Sequence, residues 1–189
     1  MRDRTDHSMR NSVDGIRGGA WARTLRAAPL LLALGGPALA ADTVQGRPTV
    51  IDGDTLQVGG TLIGLYGVAA PAAAQICQDA EGANIRCGER ARRALARHIG
   101  TGEIVCESRG VDRSHRPVAL CRLGREDLAA WMVRQGHAVA DKHVAEAYNA
   151  DETRAWAARR GLWAGVFEDP TTRSREAGRS PAHRTASAQ

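Results

Sequence analysis

Aromatic side chains make up only 4% of the 189 residues, and lysine occurs once, at Lys142. No stretch reaches the roughly 18 to 20 apolar residues that a membrane-spanning helix requires, which excludes a multipass membrane protein. Four cysteines are present but no C-x-x-C pair, so the short paired spacings of a zinc site are missing. Charge of one sign is scarce where a fold can form. The formal net charge is +5, yet residues 1–26 hold six Arg and three Asp, and residues 171–189 hold four Arg and one Glu. Residues 41–170 carry sixteen basic and seventeen acidic groups, a balance of −1, which argues against tight electrostatic binding of a polyanion. The few aromatics leave little material for a base-stacking platform. A coiled coil and a disordered acidic chain are excluded as well. With 43% apolar residues the chain can bury one core, and its length suits one domain.

The Arg-bearing lead is followed by the apolar run Ala27–Ala38, broken by Pro29, Gly35, Gly36 and Pro37, and then by the small-x-small pattern Ala38-Leu39-Ala40. Residues 1–40 therefore read as a secretory signal peptide cleaved after Ala40, with translation starting at Met1 or Met9 and a secreted or periplasmic destination. A domain is expected over residues 41–170. Residues 171–189 lack periodicity and read as a disordered basic tail.

Export makes disulfides the natural state of the cysteines. Cys106 lies in the strand-like run Glu103–Ser108 and Cys121 in Pro117–Leu123, and their midpoint falls inside the polar turn Gly110–Arg116. Folded as a hairpin, the two strands place Cys106 opposite Cys121, within bridging distance. Cys77 and Cys87 then pair across a loop. Earlier strands are expected at Val44–Ile51, Thr55–Val58 and Thr61–Val68, joined by the turns Asp52-Gly53-Asp54 and Gly59-Gly60. Residues 69–88 read as a loop. Helices are expected at residues 90–99, where Ala91, Ala94, Leu95, His98 and Ile99 share a face, at Glu126–Gln135 and at Ala150–Arg160. Trp131, Trp156 and Trp163 read as core. Five strands with a helix between the third and fourth is the order of an OB-type β-barrel, here with three α-helices in an α+β fold.

Five pieces in series, Val50-Ile-Asp-Gly-Asp-Thr-Leu56, Val68-Ala-Ala-Pro71 with the following helix, Asp112-Arg-Ser-His-Arg-Pro-Val-Ala119, Leu128-Ala-Ala-Trp-Met-Val-Arg-Gln-Gly136 and Arg160-Gly-Leu-Trp163, closely resemble the staphylococcal nuclease-like (thermonuclease) family. The resemblance implies an OB barrel that hydrolyses DNA and RNA phosphodiesters with one calcium ion, and a monomer whose partner is nucleic acid or a nucleotide. Such chemistry needs metal carboxylates, a base and two guanidinium groups for the transition-state charge.

Carried over position by position, the resemblance assigns a metal carboxylate to Asp54, with Asp52 and Thr55 in the same turn, a metal-facing backbone carbonyl to Ala70, and a catalytic arginine to Arg116. Gly64 stands where the family has its other arginine, Ala69 where it has a second metal aspartate, and Ala72 where it has the general base. Calcium prefers six to eight oxygens, several of them charged, so any calcium site here is expected to be weak or absent, and activity weak or lost. Asp79, Glu81, Arg113 and His115 are the nearby groups available as substitutes. Tyr66, two residues from Gly64, shares its strand face. The alternative is a non-catalytic OB-fold binding or structural module of the cell envelope. Asp52-Gly-Asp-Thr55 also has the paired aspartates of haloacid-dehalogenase-type phosphatases, but those place Thr where Leu56 stands and need a later lysine, and Lys142 lies in a different context.

Overall fold

A computed structural model of the chain describes residues 42–112 and 115–172. The expected signal segment, Arg113 and nearly all of the expected tail lie outside the described residues.

The first expected strand is two strands. β1 (Thr43–Gly46) pairs with β8 (Ile104–Val111), whereas β2 (Thr49–Asp52) pairs with β3 (Thr55–Val58). Pro48 lies between them, and proline cannot donate to a ladder, so the chain changes partner there. β3 continues to β4 (Thr61–Leu65) across the Gly59-Gly60 turn, and β4 runs parallel to β9 (Pro117–Leu123). The main sheet has the order β1-β8-β9-β4-β3-β2, with β10 (Glu126–Asp127) added to β9. It is a mixed sheet, and the parallel pairing of β4 with β9 needs the long crossover that carries the first helix.

That helix, α1 (Cys87–Ile99), starts three residues before the expected position and buries Ala91, Ala94, Leu95 and Ile99. The stretch before it is not a plain loop. β6 (Ile76–Gln78) and β7 (Asn84–Arg86) form a small hairpin, and β5 (Val68–Ala69) pairs with β11 (Val139–Ala140). α2 (Leu128–Arg134) is capped by Asp127, which accepts from the amides of Ala129 and Ala130 and from the Tyr148 hydroxyl. α3 (Asn149–Ala157) ends earlier than the charge pattern implies, because Arg159 and Gly161 both turn to positive φ. Eleven short strands in three sheets among the described residues replace the expected five.

Leu56, Val58, Leu95, Ile104, Leu128, Met132 and Val133 are fully buried and join the sheet to α1 and α2. Glu152 is buried too, accepting from the Ala140 amide and pairing with the sole lysine, Lys142, at 3.1 Å. Trp156 departs from expectation: it is 63% exposed on α3, because Glu152 and Ala155 occupy the inward face instead.

Both disulfides are present as the spacing implies. Cys106 and Cys121 are direct partners in the β8–β9 ladder, and Cys77–Cys87 ties β6 to the first residue of α1. Replacing Cys106 and Cys121 together by Ala is expected to cost about 3 kcal/mol in the chain-entropy picture, read as a lower denaturant midpoint.

Candidate active site

The site residues sit where β2, β3, β4, β5 and β9 converge. A register shift in the β2–β3 ladder at Asp52 turns the chain into Gly53-Asp54. Such irregularities re-aim side chains. A Cβ on Gly53 would lie 2.7 Å from the Ala70 Cβ and 2.9 Å from the Ala91 Cβ, so the turn is wedged between β5 and α1. This packing holds Asp54 beside Ala70.

Both oxygens of the Asp54 carboxylate have protein donors. Oδ1 accepts from the Thr55 hydroxyl at 2.8 Å, and Oδ2 accepts from the Ala70 amide at 2.8 Å. The Thr55 oxygen accepts in turn from Nη1 of Arg116. Arg116 donates through Nε to Asp112 at 2.9 Å, and its own amide donates to the other Asp112 oxygen at 3.0 Å. One hydrogen-bonded chain therefore runs from Asp112 through Arg116 and Thr55 to Asp54 and the Ala70 amide.

Arg116 also fills space. A Cβ built on Gly64 would lie 2.8 Å from Nη2 and 2.9 Å from Cζ of Arg116, so the guanidinium lies on the bare backbone of β4. A side chain at position 64 would therefore meet the guanidinium of Arg116. Ala69 is 3% exposed, Ala70 is buried, and Ala72 is half-buried. None of their side chains can carry charge.

The nearby groups do not compensate. Asp79 closes its own hairpin turn, its Oδ1 accepting from the amides of Glu81 and Ala83, while Glu81 is exposed. His115 is an exposed turn residue at φ 60°. The Tyr66 hydroxyl donates to the Val144 carbonyl at 2.9 Å. No group of three or more His, Cys, Asp or Glu side chains able to hold a metal occurs among the described residues. Asp54 is already engaged twice, and Ala69, Ala70 and Ala72 bring no charged oxygen beside it, a poor match to the several charged oxygens calcium prefers.

Sequence reading missed Asp112 as the anchor of Arg116. The signal was available in its four-residue spacing across a turn that the strands on either side close. It also missed a ring cluster on the helical side, where His98 stacks on Trp131 at 3.8 Å and Trp131 lies 6.0 Å from His137. Burial, then the charges of Arg90 and Arg97, hold the His137 imidazole below its usual value. A lowered histidine binds fewer protons folded than unfolded, so its contribution is present above about pH 6.5 and lost as pH falls. The drop in stability between about pH 7.5 and about pH 5 is expected to shrink in His137→Gln, measured by urea unfolding at both values.

The family model described as staphylococcal nuclease homologue matches residues 62–165. A succinoglycan biosynthesis protein, ExoI, of Rhizobium meliloti (strain 1021) is 36% identical over 124 residues, which is 65% of this chain and 65% of that protein. The chain thus spans just under two thirds of that relative's length.

Proposed function

Because the chain belongs to the staphylococcal nuclease homologue family, we propose that it is an exported nuclease-fold protein whose hydrolysis of DNA or RNA phosphodiesters is weak or lost. The observation that carries this reading is the placement of Arg116, on the backbone of Gly64 and bonded to Asp112 and Thr55. A productive site would need that arginine and a second one on the scissile phosphate, and a base to take the proton of the attacking water. Here Gly64 and Ala72 supply neither the arginine nor the base. Ala69, next to the Ala70 amide that donates to Asp54, supplies no carboxylate, so no step is routed through a metal. What the remaining groups can do is bind: Arg116 can exchange Thr55 for a phosphate oxygen, since guanidinium matches phosphate geometry.

Export is supported by the two disulfides, which persist in oxidising compartments, and by residues 1–40 with cleavage after Ala40. No described helix is long and apolar enough to cross a membrane. The OB-type barrel is supported by β1 and β2 lying at opposite ends of one sheet path with only Arg47 and Pro48 between them, which requires the sheet to wrap. The expected boundary at residue 170 is too early, because Thr171 is buried and its amide donates to Asp169, while residues 173–189 lie outside the described residues.

A second reading, a non-catalytic binding or structural module of the cell envelope, draws on the self-satisfied chain from Asp112 to Ala70 and on the relative's name, which refers to succinoglycan biosynthesis. Calcium titration calorimetry separates the family mechanism from both. The wild-type protein is expected to give no saturable heat at millimolar calcium, and a stoichiometric isotherm lost in Asp54→Asn would overturn the reading.

A further inference from the structure

We propose that the outer face of α1 is a second ligand surface, separate from the Asp54 groove, that takes the phosphate backbone of single-stranded nucleic acid. The buried stripe of α1 leaves its opposite side to arginine. Arg86, Arg90, Arg93 and Arg97 are all exposed and are spaced four, three and four residues apart, which sets them in one row. From Arg86 to Arg97 the row spans about 16 Å, roughly one charge per helical turn.

Among the described residues the row is neutralised at Arg93 alone. Glu89 holds Arg93 at 2.6 Å and Arg92, on the other flank, at 2.7 Å. No carboxylate lies against Arg86, Arg90 or Arg97 among the described residues. Like charges at Arg86, just before α1, and at Arg90 and Arg97 on it repel, a modest cost that a bound anion removes. The near-zero charge of residues 41–170 conceals this, although Glu89 lies within the row and Glu126 meets His98 at 2.9 Å.

The row also leads to the ring cluster. Arg90, Gly136, His137 and Gly161 line one water-sized cavity of about 10 Å³ beside Cys77–Cys87. The charges of both Arg90 and Arg97 are felt at His137. His137 adjoins the Trp131–His98 stack, and Trp131 is half-exposed. Arg160, exposed and preceding Gly161, donates to the Arg134 carbonyl and meets no carboxylate among the described residues. Positive charge beside aromatic rings is the combination that holds single strands. The charges of Arg86, Arg90 and Arg97, one and then two turns apart, suit a flexible chain charged on every unit, as single-stranded nucleic acid is, better than a glycan charged on some of its sugars. The ligand class rests on the family reading, but the surface does not depend on hydrolysis in the groove.

The test is fluorescence anisotropy of a labelled single-stranded oligodeoxynucleotide with the full mature chain, in chelator, over a series of salt concentrations. Arg90→Gln/Arg97→Gln is expected to bind on the order of tenfold more weakly, with the salt slope reduced by about 1.4, two phosphates at about 0.7 each. Arg125→Gln, exposed in the β9–β10 turn, serves as the control for net charge and is expected to match the wild-type protein. Both variants alter exposed side chains, and circular dichroism confirms that they fold. Unchanged affinity and slope in the double variant overturn the proposal. So does an equal loss in Arg125→Gln, which would mean non-specific attraction, or a loss confined to Arg116→Ala, which would place binding in the groove. Arg90- and Arg97-dependent binding of polygalacturonate with no binding of the oligonucleotide would assign the face to an acidic glycan and overturn it too.

Discussion

Restoring the three missing groups together, as Gly64→Arg, Ala69→Asp and Ala72→Glu, is expected to raise calcium-dependent cleavage of single-stranded DNA by at least about 10²-fold over the natural chain. A positioned base alone is worth roughly 10² to 10⁴, and the second metal carboxylate and the second arginine act with it rather than additively. The Gly64 substitution meets Arg116, whose guanidinium would lie within 2.8 to 3.1 Å of the new Cβ. The obstacle is the far end of a flexible side chain, so Arg116 can swing off β4 and leave Thr55. Both arginines then face the same groove. Ala69 is 3% exposed, and a carboxylate there is unfavourable unless an ion neutralises it. The triple variant should therefore melt at a higher temperature with calcium than with chelator, while the natural chain shows no difference. A folded triple variant with neither gain would mean that the groove has changed shape beyond its side chains.

Gly88→Ala is expected to be the most damaging single methyl in the domain, costing more than about 3 kcal/mol. A Cβ at Gly88 would lie 1.7 Å from the Ala72 carbonyl oxygen and 2.4 Å from its carbon. Those atoms are backbone, so α1 and the Ala72–Ala73 segment must separate. The Cys77–Cys87 bridge, one residue away, opposes that separation. The loss should appear as a reduced denaturant midpoint. A midpoint within a few tenths of a molar of wild type would show that α1 does not rest on this segment. The contact ties the site to the fold, since the first turn of α1 positions Ala72.

Several of these features were legible in the residues alone. The Cys106–Cys121 bridge followed from the symmetry of two strand-like runs about a polar turn, because an antiparallel register is set by its turn. The family was legible because Asp52-Gly-Asp-Thr55 and the segment from Asp112 to Ala119 combine turn chemistry with fixed order along the chain. Helix positions followed from the burial period, but their ends did not: Asp127 caps α2 with its side chain, and Arg159 ends α3 through its backbone. The split of the first strand at Pro48 and the β6–β7 hairpin depend on which neighbour each segment meets, which local pattern does not contain. At the site, the resemblance marked Gly64, Ala69 and Ala72 residue by residue as positions without the family's charged groups. The seating of Arg116 on Gly64 was not, since it depends on β4 and β9 lying side by side. The arginine row of α1 was visible as polar positions. That Arg90 and Arg97 have no carboxylate against them among the described residues appeared only once Glu89 was seen to serve Arg92 and Arg93.

Cleavage of single-stranded DNA and RNA by the mature wild-type chain, with calcium against chelator, is the most direct measurement of whether the groove hydrolyses. Rates indistinguishable with calcium and with chelator are expected, because Ala69 and Ala72 supply neither a metal carboxylate nor a base. Robust calcium-dependent cleavage that Arg116→Ala abolishes would contradict this and return the chain to the active members of its family.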